Sequence, residues 1–364
     1  MEIENVTELP GEANPLTESI LLHVLKGATS TNPQQIQTST KQLQTWEIQK
    51  HYFVHLQSAF IDRRLPLEIR YLAIIQLKNG IDKYWRKTAN NAVDPEDKNI
   101  IRSRLLESGI NEGDQRLALQ NALVIAKVVR YEFPNTWPDV IPQITQILLQ
   151  SSTGESNPLR LARALLITKH IVKELATGRL RATKASLQSI APNLLQVVGT
   201  IYFNDMQNVL VGLRSGEAED HYLQLSLDQT LLAIKVVRRL AVVGYEFPNR
   251  ASEVHQLSNN LSNNFQDLLH LNYGSSTTSS DNIHQLLDRH LVQITKFHLE
   301  MARMHPIAFT LMNGSQRIQQ YWQLISNFGE SYGTRSLDFT KLDPNGDANT
   351  EAKSSLEKGM FSSW

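Results

Sequence analysis

The 364-residue chain has 36 Lys plus Arg against 36 Asp plus Glu, so its formal charge is zero and it lacks the basic excess expected of a nucleic-acid binder. It contains no cysteine, which excludes disulfide staples, thiol nucleophiles and Cys-ligated zinc. The 41% apolar content supports a folded chain, long enough for two or three compact domains or one solenoid.

No apolar run approaches the roughly 18–20 residues of a membrane span, and the acidic start has no signal-peptide core. A soluble intracellular protein is therefore expected, with no membrane partner.

Taken in order, the chain reads as helix after helix. Asn14-Pro15 opens a helix carrying Leu16, Ile20, Leu21, Val24 and Leu25. Asn caps the free N–H groups, and Pro tolerates the first helical position, where no donor is needed. Asn32-Pro33, Asp94-Pro95 and Asn157-Pro158 repeat the device. The second helix runs through Ile36 and Leu43 to Trp46. A third carries Tyr52, Phe53, Leu56, Ala59, Phe60 and Ile61. A fourth follows the break Asp62-Arg63-Arg64-Leu65-Pro66 and carries Leu72, Ile74, Ile75, Leu77, Ile81 and Trp85. Spacings of three and four dominate, which is the helical period.

Gly80 is a local conflict, because Asn79-Gly80 favours a hairpin turn. The apolar period runs straight through it, so the helix is kept. A helical Gly costs roughly 1 kcal/mol against Ala, less than the packing of four large apolar groups. The missing side chain leaves room for a close neighbour.

Further helices are expected over 94–106, 115–131, 139–150, 158–176, 223–243, 252–272 and 282–305. A long one over 185–213 should break or bend near Ala191-Pro192. The last hairpin begins near Ile307 and includes residues 318–328. Residues 274–280 form a Ser/Thr-rich loop.

A frame of apolar residues ending in Lys recurs at Lys78, Lys127, Lys169 and Lys235. The lysines stand 49, 42 and 66 residues apart. The first two spacings fit the roughly 40–47 residue period of HEAT repeats. The third leaves room for one extended outer helix. Val128-Val129-Arg130-Tyr131-Glu132-Phe133-Pro134 returns as Val242-Val243-Gly244-Tyr245-Glu246-Phe247-Pro248, and in each copy Pro is expected to stop a helix. The predicted fold is all-α, a right-handed HEAT-repeat solenoid (an armadillo-like superhelix) of about six to seven hairpins. The polar residues 334–364 lack an apolar face, so the chain is expected to be a fragment ending in a loop or tail.

Chemistry-bearing constellations are sparse. No phosphate-loop or dinucleotide glycine pattern occurs, and no cofactor, metal or catalytic set is expected. His51-x-x-x-His55 lacks the Glu and third ligand of a zinc site and reads as surface or packing histidines. Asp343-Pro344-Asn345-Gly346-Asp347 resembles the start of a calcium loop, but Ala348 and Ser354 break the pattern. Trp85, Trp137 and Trp322 read as core. Residues 156–190 hold seven Lys or Arg against Glu174 alone, and the first twenty hold five Glu and no Lys or Arg. The basic stretch is either a solvated face or a patch that meets an acidic partner.

The stronger candidate is a polar stripe. At about 100° per residue, Ile74, Leu77, Ile81 and Trp85 share one arc of the fourth helix, and Asn79, Asp82, Lys83 and Arg86 share another. Lys78 lies beside the apolar arc, where its stem can pack while its ammonium reaches out. Concave solenoid faces are where such proteins bind partners.

The stretch Leu43-x-x-Trp46-Glu47, then Pro66-Leu67-x-Ile69-Arg70-x-Leu72-Ala73, then Leu77-Lys78-Asn79 and Trp85 resembles the importin-beta N-terminal domain of nuclear transport receptors. Phe133-Pro134-x-x-Trp137-Pro138 is similar to that family's link between third and fourth repeats. The long fifth-repeat helix and the doubled Tyr-Glu-Phe-Pro element resemble its importin-eleven branch. The resemblance implies domains at 14–90 (importin-beta N-terminal) and 91–333 (further HEAT repeats). It implies a monomeric, non-enzymatic receptor that shuttles between nucleus and cytoplasm, most naturally for import. Its implied partners are the GTPase Ran in its GTP form, protein cargo and FG-repeat nucleoporins. The Ran-facing residues expected from the stripe and its neighbouring repeat are Lys78, Asn79, Asp82, Lys83, Arg86, Asn121 and Lys127. The alternative is a HEAT scaffold subunit of phosphatase-regulatory or vesicle-coat type, which would share the fold but not this stretch.

Overall fold

A computed structural model describes residues 15–151, 157–178, 180–274 and 280–327. The acidic leader up to Asn14, residues 275–279 of the Ser/Thr-rich loop, the Asp343 loop and the polar tail lie outside them. The described residues form fourteen α-helices, one short 3-10 turn and no strand, so the all-α expectation holds.

Side-chain caps set five of the helix starts. The side chains of Asn32, Asp94 and Asn157 accept hydrogen bonds from the Gln34, Glu96 and Leu159 amides at 3.0, 2.9 and 3.0 Å. Pro follows each cap, as expected. The first helix differs. It starts at Glu18, and Thr17 is its cap, accepting from the Ile20 amide at 3.3 Å. Leu16 precedes the helix, because the Thr17 hydroxyl stands closer to the apolar run it serves.

The chain divides into two compact units between Thr136 and Trp137. The first contains α1 (Glu18–Ala28), α2 (Pro33–Trp46), α3 (Tyr52–Ile61), α4 (Leu67–Tyr84), α5 (Pro95–Ile110) and α6 (Gln115–Glu132). Successive helices pair as α1·α2, α3·α4 and α5·α6, and the latter two pairs stack through α3·α5 and α4·α6. One hairpin leaves an apolar face bare, and stacking covers it. Ile74, Leu77, Ile81 and Trp85 are all buried as a result. Full burial of such side chains is worth roughly 1.5–3 kcal/mol each, which outweighs the helical Gly80.

Gly80 itself is required by the close approach of α3 to α4 within their hairpin. A Cβ there would sit 1.9 Å from Cε1 of the Phe53 ring. Gly80→Ala is therefore expected to destabilise the first unit by about 1–3 kcal/mol through overpacking, although Ala is the better helix former. Urea unfolding followed by tryptophan fluorescence checks this, and a variant as stable as the parent would show that Phe53 swings away freely.

The second unit contains α7 (Val140–Ser151), α8 (Pro158–Thr177), α9 (Arg181–Ser215), α10 (Asp220–Val243), α11 (Ser252–Tyr273), α12 (Asp281–Met304), α13 (Pro306–Leu311) and α14 (Gly314–Asn327). Helices α7, α9, α11 and α14 neighbour one another in one row, and α8, α10, α12 and α13 in a second. The extended outer helix expected between Lys169 and Lys235 is α9, 35 residues long.

Three expectations are corrected here. Helix α9 does not break at Pro192, which lies inside it. Pro192 is exposed. The doubled Tyr-Glu-Phe-Pro element does not stop both helices alike. α6 continues to Glu132, whereas α10 ends at Gly244, before the motif. A Cβ at Gly244 would lie 2.4 Å from the Ala191 Cβ, so α9 approaches too closely for a side chain there. Trp322 is 48% exposed. Its neighbour Tyr321 takes the inward position on α14 and stacks on Phe265 at 3.9 Å, which turns residue 322 about 100° away.

Candidate functional site

The polar stripe of α4 is built on a helix that the first unit clamps from both sides. Arg70, one turn into α4, is buried. Its Nε donates to the Phe60 carbonyl at 2.8 Å, and its Nη2 meets Glu112 Oε2 at 2.5 Å. Glu112 in turn accepts from the Asp114 amide at 2.9 Å. At the other end of the helix, Trp85 Nε1 donates to Glu132 Oε1 at 3.0 Å, and Arg102 donates to the second oxygen of that carboxylate at 2.6 Å. Both bridges tie α4 to the α5–α6 hairpin.

Between these anchors the stripe divides. Lys83 turns towards the end of α2 and donates to Glu47 at 2.9 Å, and the Tyr84 hydroxyl donates to the same carboxylate at 3.0 Å. Donating to Glu47 holds the Lys83 ammonium pKa above its ordinary value. Lys78, Asp82 and Arg86 turn the other way, towards α6. Lys78 donates to Gln120 at 2.8 Å, and partial burial, with Lys127 nearby, lowers its pKa. Asp82 pairs with Lys127. The Arg86 guanidinium lies 5.4 Å from the Tyr131 ring centroid.

Asn79 lies between the two groups. It is exposed, and no hydrogen bond reaches it from the described residues. Asp82, Lys83 and Arg86 are exposed beside it. Exposed ion pairs such as Lys127–Asp82 contribute about 0–1 kcal/mol, so an incoming partner can exchange them at little cost.

Asn121 does not belong to this surface. It is fully buried, and its amide donates to the Leu105 carbonyl at 3.1 Å within the α5–α6 hairpin. Its place in the repeat put it near the stripe, but it lies on the inward face of α6. Sequence reasoning also missed Glu47 as the carboxylate that holds Lys83 and Tyr84. No local spacing shows it, because Glu47 and Lys83 are 36 residues apart.

The rings of His51 and His55 lie 6.5 Å apart, although His51 stands just outside the helix. It is the left-handed residue preceding α3, with φ of 68°, and its Nδ1 sits 2.7 Å from Asp97 Oδ1. Among the described residues no group of three or more His, Asp or Glu is arranged to hold a metal ion. None of their helices is long and apolar enough to cross a membrane.

Residues 39–110 match the importin-beta N-terminal domain. Importin-11 of Mus musculus is 31% identical over 293 residues, covering 80% of this chain and 29% of that protein. The importin beta-like protein KAP120 of Saccharomyces cerevisiae is 34% identical over 247 residues, covering 66% of this chain and 23% of that protein. The chain thus spans less than a third of the length of these curated relatives. The structure of Lph2, a bidirectional nuclear transport receptor of S. cerevisiae, superposes with a TM-score of 0.69 at 28% identity, covering 82% of this chain and 28% of that one. The exportin Cse1 shares the fold, with a TM-score of 0.57 at 14% identity over 95% of this chain and 42% of its own.

Proposed function

Because the chain belongs to the importin-beta family, we propose that it acts as part of a nuclear transport receptor whose first unit binds Ran in its GTP form. In this reading the receptor carries protein cargo through nuclear pores in contact with FG-repeat nucleoporins. Likeness to importin-11 favours import, and likeness to a bidirectional receptor leaves room for both directions. It shuttles between nucleus and cytoplasm.

One observation supports the Ran site above the others. The polar residues of the family-like stretch are Glu47, Arg70, Lys78 and Asn79, together with the indole N–H of Trp85. All but Asn79 are engaged inside the first unit. Folding gives them a role. It gives none to Asn79, which sits exposed in a stripe with Asp82, Lys83 and Arg86. A surface of weakly held charges around an unengaged amide suits a partner that docks through many modest contacts. Ran's switch segments are ordered only when the terminal phosphate is present, and a receptor that touches them reads nucleotide state by population shift.

The test compares capture of Ran loaded with a non-hydrolysable GTP analogue against Ran-GDP. At least tenfold preference for the GTP form is expected. Equal binding, or none, would reject the reading. Asn79→Asp combined with Arg86→Glu should weaken the GTP-form complex about tenfold with helical circular dichroism unchanged. These two are chosen over Lys83, whose replacement would also release Glu47.

A further inference from the structure

The second unit carries an unpaired row of cations. Helices α8, α10 and α12 lie side by side in that order, each packed on its other side against α7, α9 or α11. On α8 the partly exposed positions step as Ala162, Lys169 and Lys173. On α10 they step as Leu232, Lys235 and Arg239, and on α12 as Gln285, Arg289 and Lys296. Steps of three, four and seven keep each set on one helix face, so the solvent side of the layer presents cations from all three helices, with Asp228, four before Leu232, and Glu300, four after Lys296, among them.

None of the side chains of Lys169, Lys173, Lys235, Arg239 and Arg289 forms an ion pair or hydrogen bond among the described residues. The equivalent positions of the first unit behave otherwise. There the repeat lysines Lys78 and Lys127 are held by Gln120 and Asp82. Asp82 stands four residues after Lys78. In the second unit the residue four after Lys169 is Lys173, and four after Lys235 it is Arg239. The second unit thus has a cation where Lys78 has Asp82 and Lys127 has Tyr131.

Two buried groups in the same layer are left wanting. Arg238, nine-tenths buried, reaches Glu300 through Nη1, yet its Nε has no partner. His170 is as deeply buried and its Nε2 has none either. Burial, with Lys169, Arg289 and Arg238 close by, pushes the Lys235 ammonium down to about 8. Burial and the neighbouring Lys173 and Arg239 also lower Lys169. Holding like charges together and partly desolvated works against folding, which suggests that a ligand supplies the missing anions.

We infer that the α8–α10–α12 face binds an extended acidic segment, rich in Asp or Glu, of a protein partner. Nucleic acid is the less favoured anion, since the chain as a whole has no basic excess. Packed helices lie about 8–10 Å apart and an extended chain advances about 3.3 Å per residue. A carboxylate at every third residue therefore meets one helix after another. The site does not depend on the Ran reading.

Fluorescence anisotropy with a dye-labelled peptide bearing Glu at every third position tests this on the full chain. The peptide should bind, its Gln counterpart should bind at least about tenfold more weakly, and added salt should weaken the complex. Lys169→Glu with Lys235→Glu should weaken it at least about tenfold, and Lys235→Arg should retain it. Folding is checked separately with Lys169→Met and Lys235→Met. Because they relieve repulsion, they should raise the thermal midpoint by about 2–4 °C while weakening the peptide. Binding unaffected by the double Glu variant would overturn the inference. So would tighter binding of a single-stranded RNA, or of a peptide of residues 1–20 of this chain, which would make the site one for nucleic acid or for the chain itself. None of these measurements involves Ran.

Discussion

Arg70→Met is expected to destabilise the first unit by about 3–5 kcal/mol, the range for removing one member of a buried ion pair. The substitution leaves the Glu112 carboxylate, whose side chain is 5% exposed, without its cation. It also takes the Nε donor from the Phe60 carbonyl. The cost arises mostly from what is left behind. Arg70→Met with Glu112→Gln, which removes the stranded charge, should recover most of the loss. Hydrogen exchange of the α4 amides reads the first unit alone, which matters because a chain of two units need not unfold in one step. If the double variant exchanges as fast as the single one, the stranded charge is not the cause. The result also bears on binding, since the helix that Arg70 anchors carries Asn79. A loss of Ran capture in Arg70→Met would follow from the fold rather than from direct contact.

Acidification is the second large expected effect, and it falls on the second unit. His170, His290 and His298 are buried, and burial lowers each to about 4 from the usual 6.5. Nearby Lys235 adds to the effect at His290, and Arg317 at His298. The Leu286 and Ile294 carbonyls stand 2.8 and 3.0 Å from Nδ1 of His290 and His298. A carbonyl only accepts, so Nδ1 carries the proton in each ring. Nε2 of His290 is then the lone-pair nitrogen, 3.0 Å from the Thr230 hydroxyl, which itself donates to the Ser226 and Leu227 carbonyls. In all three residues the folded chain resists a proton that the unfolded chain takes up. Their contribution is complete above about pH 6.5 and is lost as the pH falls towards 4. At 1.36 kcal/mol per unit, that is on the order of 3 kcal/mol per histidine. Denaturant midpoints measured from pH 7.5 to 4.5 should fall steeply in this window. His298→Gln should reduce the proton uptake on unfolding by about one, whatever it does to absolute stability. An unchanged pH slope would show that His298 already titrates normally in the fold.

Much of the architecture was legible because it is local. Three of the four expected Asn-Pro or Asp-Pro starts are real caps, since a cap needs only its own side chain and an amide two residues on. The apolar arc of α4 followed from the 100° step alone, even across Gly80. Pro192 shows where such reasoning fails. Its clash is local, but α10 packed along α9 holds the helix together. Gly244 is the same lesson reversed, because what excludes a side chain there is Ala191 on another helix.

At the candidate site the sequence specified which residues would be polar and which family stretch they belong to. It could not separate residues kept for the partner from those the fold uses itself. Glu47 with Lys83, Arg70 with Glu112 and Trp85 with Glu132 are pairs 36, 42 and 47 residues apart. No periodicity encodes such distances. They arise when one hairpin settles on the next.

The sequence by itself determined an all-helical chain of repeated hairpins, the places where most helices begin, and kinship with the importin-beta family. Only the tertiary structure decided that Asn121 is interior, that Asn79 is left over, and that the side chains of Lys169 and Lys235 form no ion pair among the described residues. Helix formation and capping are settled within four residues of chain. The pairing of a charge is settled by whichever side chain another helix brings beside it.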